Sequence, residues 1–143
     1  MLVYLDTSSI CRHLDNPSFQ RIKRESDKLV QLYQHFANGT HCWATSQVVV
    51  EEITATRNPA TRQLLLAQLE RANIWLDVSD RAARLANVLA TKGLAPMDAL
   101  HVAVAYSGHC DVFLSTDDRL IRRYKRIVPP LGIPVVNPLE WVL

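Results

Sequence analysis

The sequence predicts an α/β fold built on a mainly parallel sheet, and three observations carry that expectation. Short apolar runs without polar alternation, such as Leu2–Leu5 and Val112–Leu114, have the character of strands covered on both faces. Segments of helical periodicity separate the strands, the alternation from which parallel sheets are assembled. Composition is the third: of 143 residues, 48% are hydrophobic and 21% charged, which is globular and not disordered. A chain of this length is expected to form one domain, residues 1–143, and to bury a core without staples.

The elements follow in order. Leu2–Leu5 is the first strand, and Asp6, Thr7, Ser8 and Ser9 offer N-caps for a helical turn after it. From Pro17 to about Ala37, the residues Phe19, Ile22, Leu29, Leu32, Tyr33 and Phe36 recur at helical spacing. Asn38-Gly39 stops that helix. His41–Thr45 reads as a second strand, and Thr45 or Ser46 caps a helix carrying Val48, Val49, Val50 and Ile53. Arg57-Asn58-Pro59 breaks the pattern, and Ala60–Ala72 is a leucine-rich helix. Ile74–Val78 is a third strand, after which Ser79 caps a helix running to about Lys92 and ended by Gly93. Pro96 opens the next helix, Met97–Tyr106, which is almost wholly apolar and therefore expected to be buried. Asp111–Ser115 is a fourth strand, followed by a charged helix from Asp117. Ile133–Val136 reads as a short fifth strand, and Pro138–Trp141 closes the chain.

Several classes are excluded early. Lys and Arg number 16 against 14 Asp and Glu, a formal net charge of +2. That is no polybasic or acidic tail, and it is too mild to announce a nucleic-acid binder. Cys11, Cys42 and Cys110 are far apart and form no C-x-x-C pair, which removes zinc-ribbon and thioredoxin-type motifs. Free thiols fit a cytoplasmic setting. No apolar stretch approaches the roughly 20 residues needed to cross a bilayer. The opening residues, with no basic region and a carboxylate at Asp6, are expected not to be a signal peptide.

Ligands of parallel sheets bind beyond the carboxyl ends of the strands, and those places carry acids here. Asp6 follows the first strand, where an ordinary helix N-cap is the simplest explanation, although Thr7, Ser8 and Ser9 serve that purpose equally well. Glu52, with Val48 and Val49 one turn earlier, lies nearer the inward stripe than Glu51 does. Asp98 stands at the third position of a helix that looks buried. The helix dipole favours an acid there by roughly 0.3–1 kcal/mol, but a carboxylate at a buried entrance needs a cation or hydrogen bonds. Asp117 and Asp118 follow the fourth strand, and Ser115-x-x-Asp118 has the form of a capping box. Together these acids would repel one another unless protons or metal ions neutralised them. Oxygen-only ligands suit Mg²⁺ or Mn²⁺, and such ions favour phosphodiester hydrolysis.

Four segments carry a family resemblance: Leu2–Ser8, Ser46 with Glu52-Ile53, Asp98–Ala103, and Leu114–Arg119. In order and approximate spacing the sequence resembles a PIN domain, and Val135–Trp141 looks like the end of small stand-alone members. The resemblance implies a three-layer α/β/α sandwich, with strand order 3-2-1-4-5. It also implies a Mg²⁺- or Mn²⁺-dependent endoribonuclease, similar to VapC-type toxins of toxin–antitoxin pairs. By position, Asp6, Glu52, Asp98 and Asp118 match the family's acids, with Asp6, Asp98 and Asp118 holding metal. Thr116 matches the threonine of the Thr-x-Asp pattern and would support the ligands from behind. Asp117, where many members have asparagine, is an additional ligand or a supporting group. RNA substrate, a cognate antitoxin and a homodimer are the partners implied.

The basic run Arg119, Arg122, Arg123, Lys125 and Arg126 begins beside the proposed metal site, where RNA phosphates would lie. A solvated helix face is the simpler explanation of that run, and the mixed group Arg21, Lys23, Arg24 and Lys28 reads as a helix surface or a protein contact. His101, one turn after Asp98, reads as a hydrogen-bonded core residue. The alternative function is a non-catalytic PIN-like module that binds RNA or protein. A receiver-like phosphoacceptor is more distant, because Lys125 is poorly placed for it.

Overall fold

The structure, a computed structural model, describes residues 1–142. Its strands are β1 (Leu2–Leu5), β2 (Cys42–Ser46), β3 (Ile74–Leu76), β4 (Val112–Leu114) and β5 (Val135–Val136). All pairings are parallel, in the order β3-β2-β1-β4-β5. The helices are α1 (Thr7–Ile10), α2 (Gln20–Ala37), α3 (Gln47–Thr54), α4 (Pro59–Leu69), α5 (Asp80–Thr91), α6 (Pro96–Ser107) and α7 (Asp118–Lys125). Arg12–Leu14 and Pro138–Glu140 form single 3₁₀ turns.

Register explains why β1 has no polar alternation. Val3 pairs with Trp43 and Val112, while Tyr4 pairs with Ala44 and Phe113, so the two sets point to opposite faces. Trp43 packs against Tyr33 and Phe36 of α2, with ring centroids 5.3 and 5.8 Å away. Tyr4 packs against His101 of α6 on the other face, at 5.8 Å. Val3, Tyr4 and Leu5 are all fully buried between these two helical layers, as the three-layer expectation requires. The apolar α6 is buried through Ala99, Val102, Ala103, Val104 and Ala105.

Several element ends differ from the periodicity. The second helix starts at Gln20, and Phe19 is 63% exposed instead of joining the apolar stripe. The cause is a turn at Asn16, whose side-chain oxygen accepts from Ser18 N–H and whose carbonyl accepts from Phe19 N–H. The third strand stops at Leu76, and the leucine-rich helix spans Pro59–Leu69, capped by Asn58. In that helix Leu65 and Leu69 are buried while Leu64 stays exposed. No helix among the described residues is long and apolar enough to cross a membrane.

Candidate active site

Because all strands run the same way, their carboxyl ends meet at one edge of the sheet. Asp6 directly follows β1 and caps α1, accepting from Ser9 N–H at 3.0 Å and Ser8 Oγ–H at 2.7 Å. From the end of β4, Ser115 Oγ–H donates to the other Asp6 oxygen at 2.6 Å. Ser115 Oγ in turn accepts from Asp117 N–H at 3.0 Å, and Thr116 Oγ1–H donates to Ser8 at 3.1 Å. Hydroxyls of two neighbouring strand ends therefore lock one buried carboxylate. Burial raises the Asp6 carboxyl above its ordinary range, and these hydrogen bonds pull against that rise.

Glu52 projects from α3, which begins straight after β2, and is half-buried. Its Oε1 accepts from Thr7 Oγ1–H at 2.6 Å and pairs closely with His101 Nε2. His101 Nδ1 meets the Tyr4 hydroxyl at 2.7 Å, which also contacts Ser46 Oγ at 2.8 Å. Ser46 thus stands at the N-cap position of α3 but spends its hydroxyl on Tyr4 instead of capping. Burial pushes Glu52 up, yet the His101 and Thr7 contacts prevail and hold it below its ordinary value. Its second oxygen, Oε2, has no protein donor among the described residues.

Asp98 enters at the third position of α6, where Pro96 occupies the first turn. Burial, then the charges of Asp117, Asp6 and Glu52, push its carboxyl up to about 6, with His101 opposing. Asp98 therefore feels the charges of Asp6, Glu52 and Asp117 from the same edge of the sheet. Asp117 is the N-cap of α7, accepting from Arg119 N–H at 2.9 Å and Leu120 N–H at 3.3 Å. The capping-box expectation for Ser115 and Asp118 therefore gives way to an Asp117 cap.

Asp118, expected as the fourth acid, is engaged by a cation of another helix. As the first residue of α7 it turns towards α2, where Arg21 takes both its oxygens at 2.6 Å. Its side chain is 49% exposed and its carboxyl is held below the ordinary range by Arg21. The sequence offers no local signal for this pair, since the partners are 97 positions apart. The N-cap rule does favour Asp117, because a cap points back over its own helix. His101 is the hydrogen-bonded core residue that the sequence suggests, and the structure adds Glu52 as its partner.

The donor set fits a hard divalent cation. Every candidate ligand is an oxygen, and at Asp98 burial and the neighbouring acids outweigh the opposing His101. Among the described residues the acids do not already close into a cage of three or more ligands.

A model of the PIN domain matches residues 3–126, most of the chain. The chain belongs to the PIN domain family. Solved structures with the same fold include VapBC-1 from nontypeable Haemophilus influenzae, at 16% identity and a TM-score of 0.66. That likeness covers 98% of this chain and 100% of that one. VapBC2 from Rickettsia felis, solved bound to a DNA fragment from its promoter, matches at 19% identity and a TM-score of 0.62, covering 99% and 100%. DNA-bound VapBC from Salmonella typhimurium matches at 18% identity and a TM-score of 0.60, covering 96% and 99%. No curated protein sequence matches this PIN domain.

Proposed function

We propose that this PIN domain is a Mg²⁺- or Mn²⁺-dependent endoribonuclease that hydrolyses RNA phosphodiester bonds. The observation that carries the reading is the crowding of Asp6, Glu52, Asp98 and Asp117 at one sheet edge, felt at Asp98. Asp6, Asp98 and Asp117 would hold the cation. A cation held there would polarise a phosphate oxygen and acidify a water near the phosphorus. Ser8, Ser9 and Ser115 fix the Asp6 carboxylate, and Thr116 steadies Ser8 behind it. Glu52 keeps Oε1 fastened to Thr7 and His101 and leaves Oε2 to accept a proton from an attacking water. Arg119, Arg122 and Arg123 add positive charge beside the site for RNA phosphates.

A cytoplasmic toxin role with a cognate antitoxin, and a homodimeric assembly, belong to the same reading. The solved VapBC complexes of this fold support the partner. So does an apolar groove of about 700 Å³ between α2 and α4, lined by Val30, Tyr33, Trp43 and Leu64. The test is cleavage of varied RNAs by purified protein with Mg²⁺, with Mn²⁺ and with EDTA, alongside Asp98→Asn. Metal-dependent cleavage lost in the variant is expected. Undiminished cleavage by Asp98→Asn would remove that residue from the mechanism, and no cleavage by folded protein would sink the enzyme reading.

A further inference from the structure

Two basic segments far apart in sequence converge on one concave surface. A cleft of about 540 Å³ lies between the first half of α2 and the outer face of α7, beside the Pro138–Glu140 turn. Arg21 and Arg24 line it from α2, and Arg122 and Lys125 from α7, against Asp118 and Glu140. Arg21 is already neutralised, by Asp118 and by Glu25 at 3.4 Å. Glu25 is wholly buried and is also held by Arg12 at 2.9 Å and by the Asn137 amide. That buried node ties α2 to the closing segment of the chain, so the walls of the cleft are preset.

Arg24, Arg122 and Lys125 differ from Arg21. All three are exposed, and none forms an ion pair among the described residues. Arg122 and Lys125 are three residues apart and share a face of α7 with Asp118. Arg119 and Arg123 do not line the cleft. Asp118 on the wall of the cleft is the first residue of α7, directly after the Asp117 cap, so the cleft opens at the start of the helix that Asp117 caps. Three unpaired cations on rigid helices call for a ligand with regularly spaced negative charges.

We propose that this cleft binds the sugar-phosphate backbone of single-stranded RNA, gripping it through Arg24, Arg122 and Lys125 beside the acids. The inference rests on reading those acids as an RNA-cleaving site. An acidic polypeptide would satisfy the charge but presents no phosphodiester to the neighbouring cluster.

The test is binding of a fluorescein-labelled mixed-sequence RNA of about 15 nucleotides in EDTA, over a range of salt. The combined Arg24→Gln, Arg122→Gln, Lys125→Gln variant is compared with one of equal net charge, Arg57→Gln, Arg81→Gln, Arg84→Gln. The cleft variant should bind at least about tenfold more weakly, and its slope of log affinity against log salt should fall by about 2. The control should match wild type in both respects. Equal weakening of the two variants, or none in the cleft variant, overturns the proposal. So does displacement of the RNA by polyglutamate of similar length and charge. Failure here is separable from failure of the nuclease reading. RNA bound through the cleft without metal-dependent cleavage supports the cleft and sinks the enzyme, whereas cleavage undiminished in the cleft variant does the reverse.

Discussion

At Asp98 the preference of a carboxylate for a helix N-terminus is overcome by its neighbours. The dipole of α6 stabilises the anion by about 0.3–1 kcal/mol. The rise of its carboxyl from 3.8 to about 6 shows that burial and the charges of Asp117, Asp6 and Glu52 outweigh it. Because the folded state holds this proton more tightly, metal-free folding takes one up between those values. Stability contributed by the protonated acid is complete below 3.8 and declines as pH rises to about 6. Asp98→Asn removes that decline, so the variant should exceed wild type by about 1–2 kcal/mol at pH 7.5, allowing for solvent screening of a half-buried group. Urea unfolding in EDTA at pH 4 and 7.5 measures it. A variant no more stable than wild type at the higher pH would show that the crowding is relieved in solution. His101 illustrates the opposite arrangement. Wedged between Tyr4 and Glu52, it is a buried, hydrogen-bonded histidine that lowers the carboxyl pKa of its half-buried partner Glu52.

At the scale of elements, α7 serves as a support for two acids that do different things. Asp117 closes the first turn through Arg119 and Leu120 N–H groups, while Asp118 reaches across to Arg21 on α2. Asp117→Ala should therefore cost about 1 kcal/mol of folding stability through loss of the cap. Asp117→Asn keeps the cap and its stability but loses a charged cation ligand, so cleavage should fall strongly in both variants. Asp118→Asn should leave cleavage largely intact and lose no more than about 1 kcal/mol, the usual scale of an exposed ion pair. The reverse ranking of the two asparagine variants in an RNA cleavage assay would return the metal-binding role to Asp118. Local patterns made the order of elements readable because capping, proline and glycine act over a few residues. Phe19 leaves the apolar stripe because helical spacing takes no account of the Asn16 turn that precedes it.

On the scale of the whole molecule, Asp6 and Glu52 share an edge because each follows a strand of a parallel sheet, and Asp98 stands at the start of α6, the helix that leads back to β4. That much follows from the order of apolar runs alone. The choice between Asp117 and Asp118 does not, since it depends on Arg21 approaching from a helix in another part of the chain. Nor does the basic cleft, whose two walls come from α2 and α7. If the clustered charge selects a divalent cation, Mg²⁺ at about 100 times its dissociation constant should stabilise the native state by about 2.7 kcal/mol. Thermal unfolding at pH 7.5 should then shift upward by several degrees in wild type and much less in Asp98→Asn. Equal shifts in the two proteins would place the ion elsewhere. The central position of β1, between β2 and β4, has a consequence for synthesis. A ribosome that has joined the first 100 residues has already made Asp6, Glu52 and Asp98. The nascent chain nevertheless has no β4 to lay beside β1, and no Ser115 to hold Asp6. Ser115 and Asp117 join Asp6 only when the last third of the polypeptide has emerged, so a shorter N-terminal product lacks the completed site.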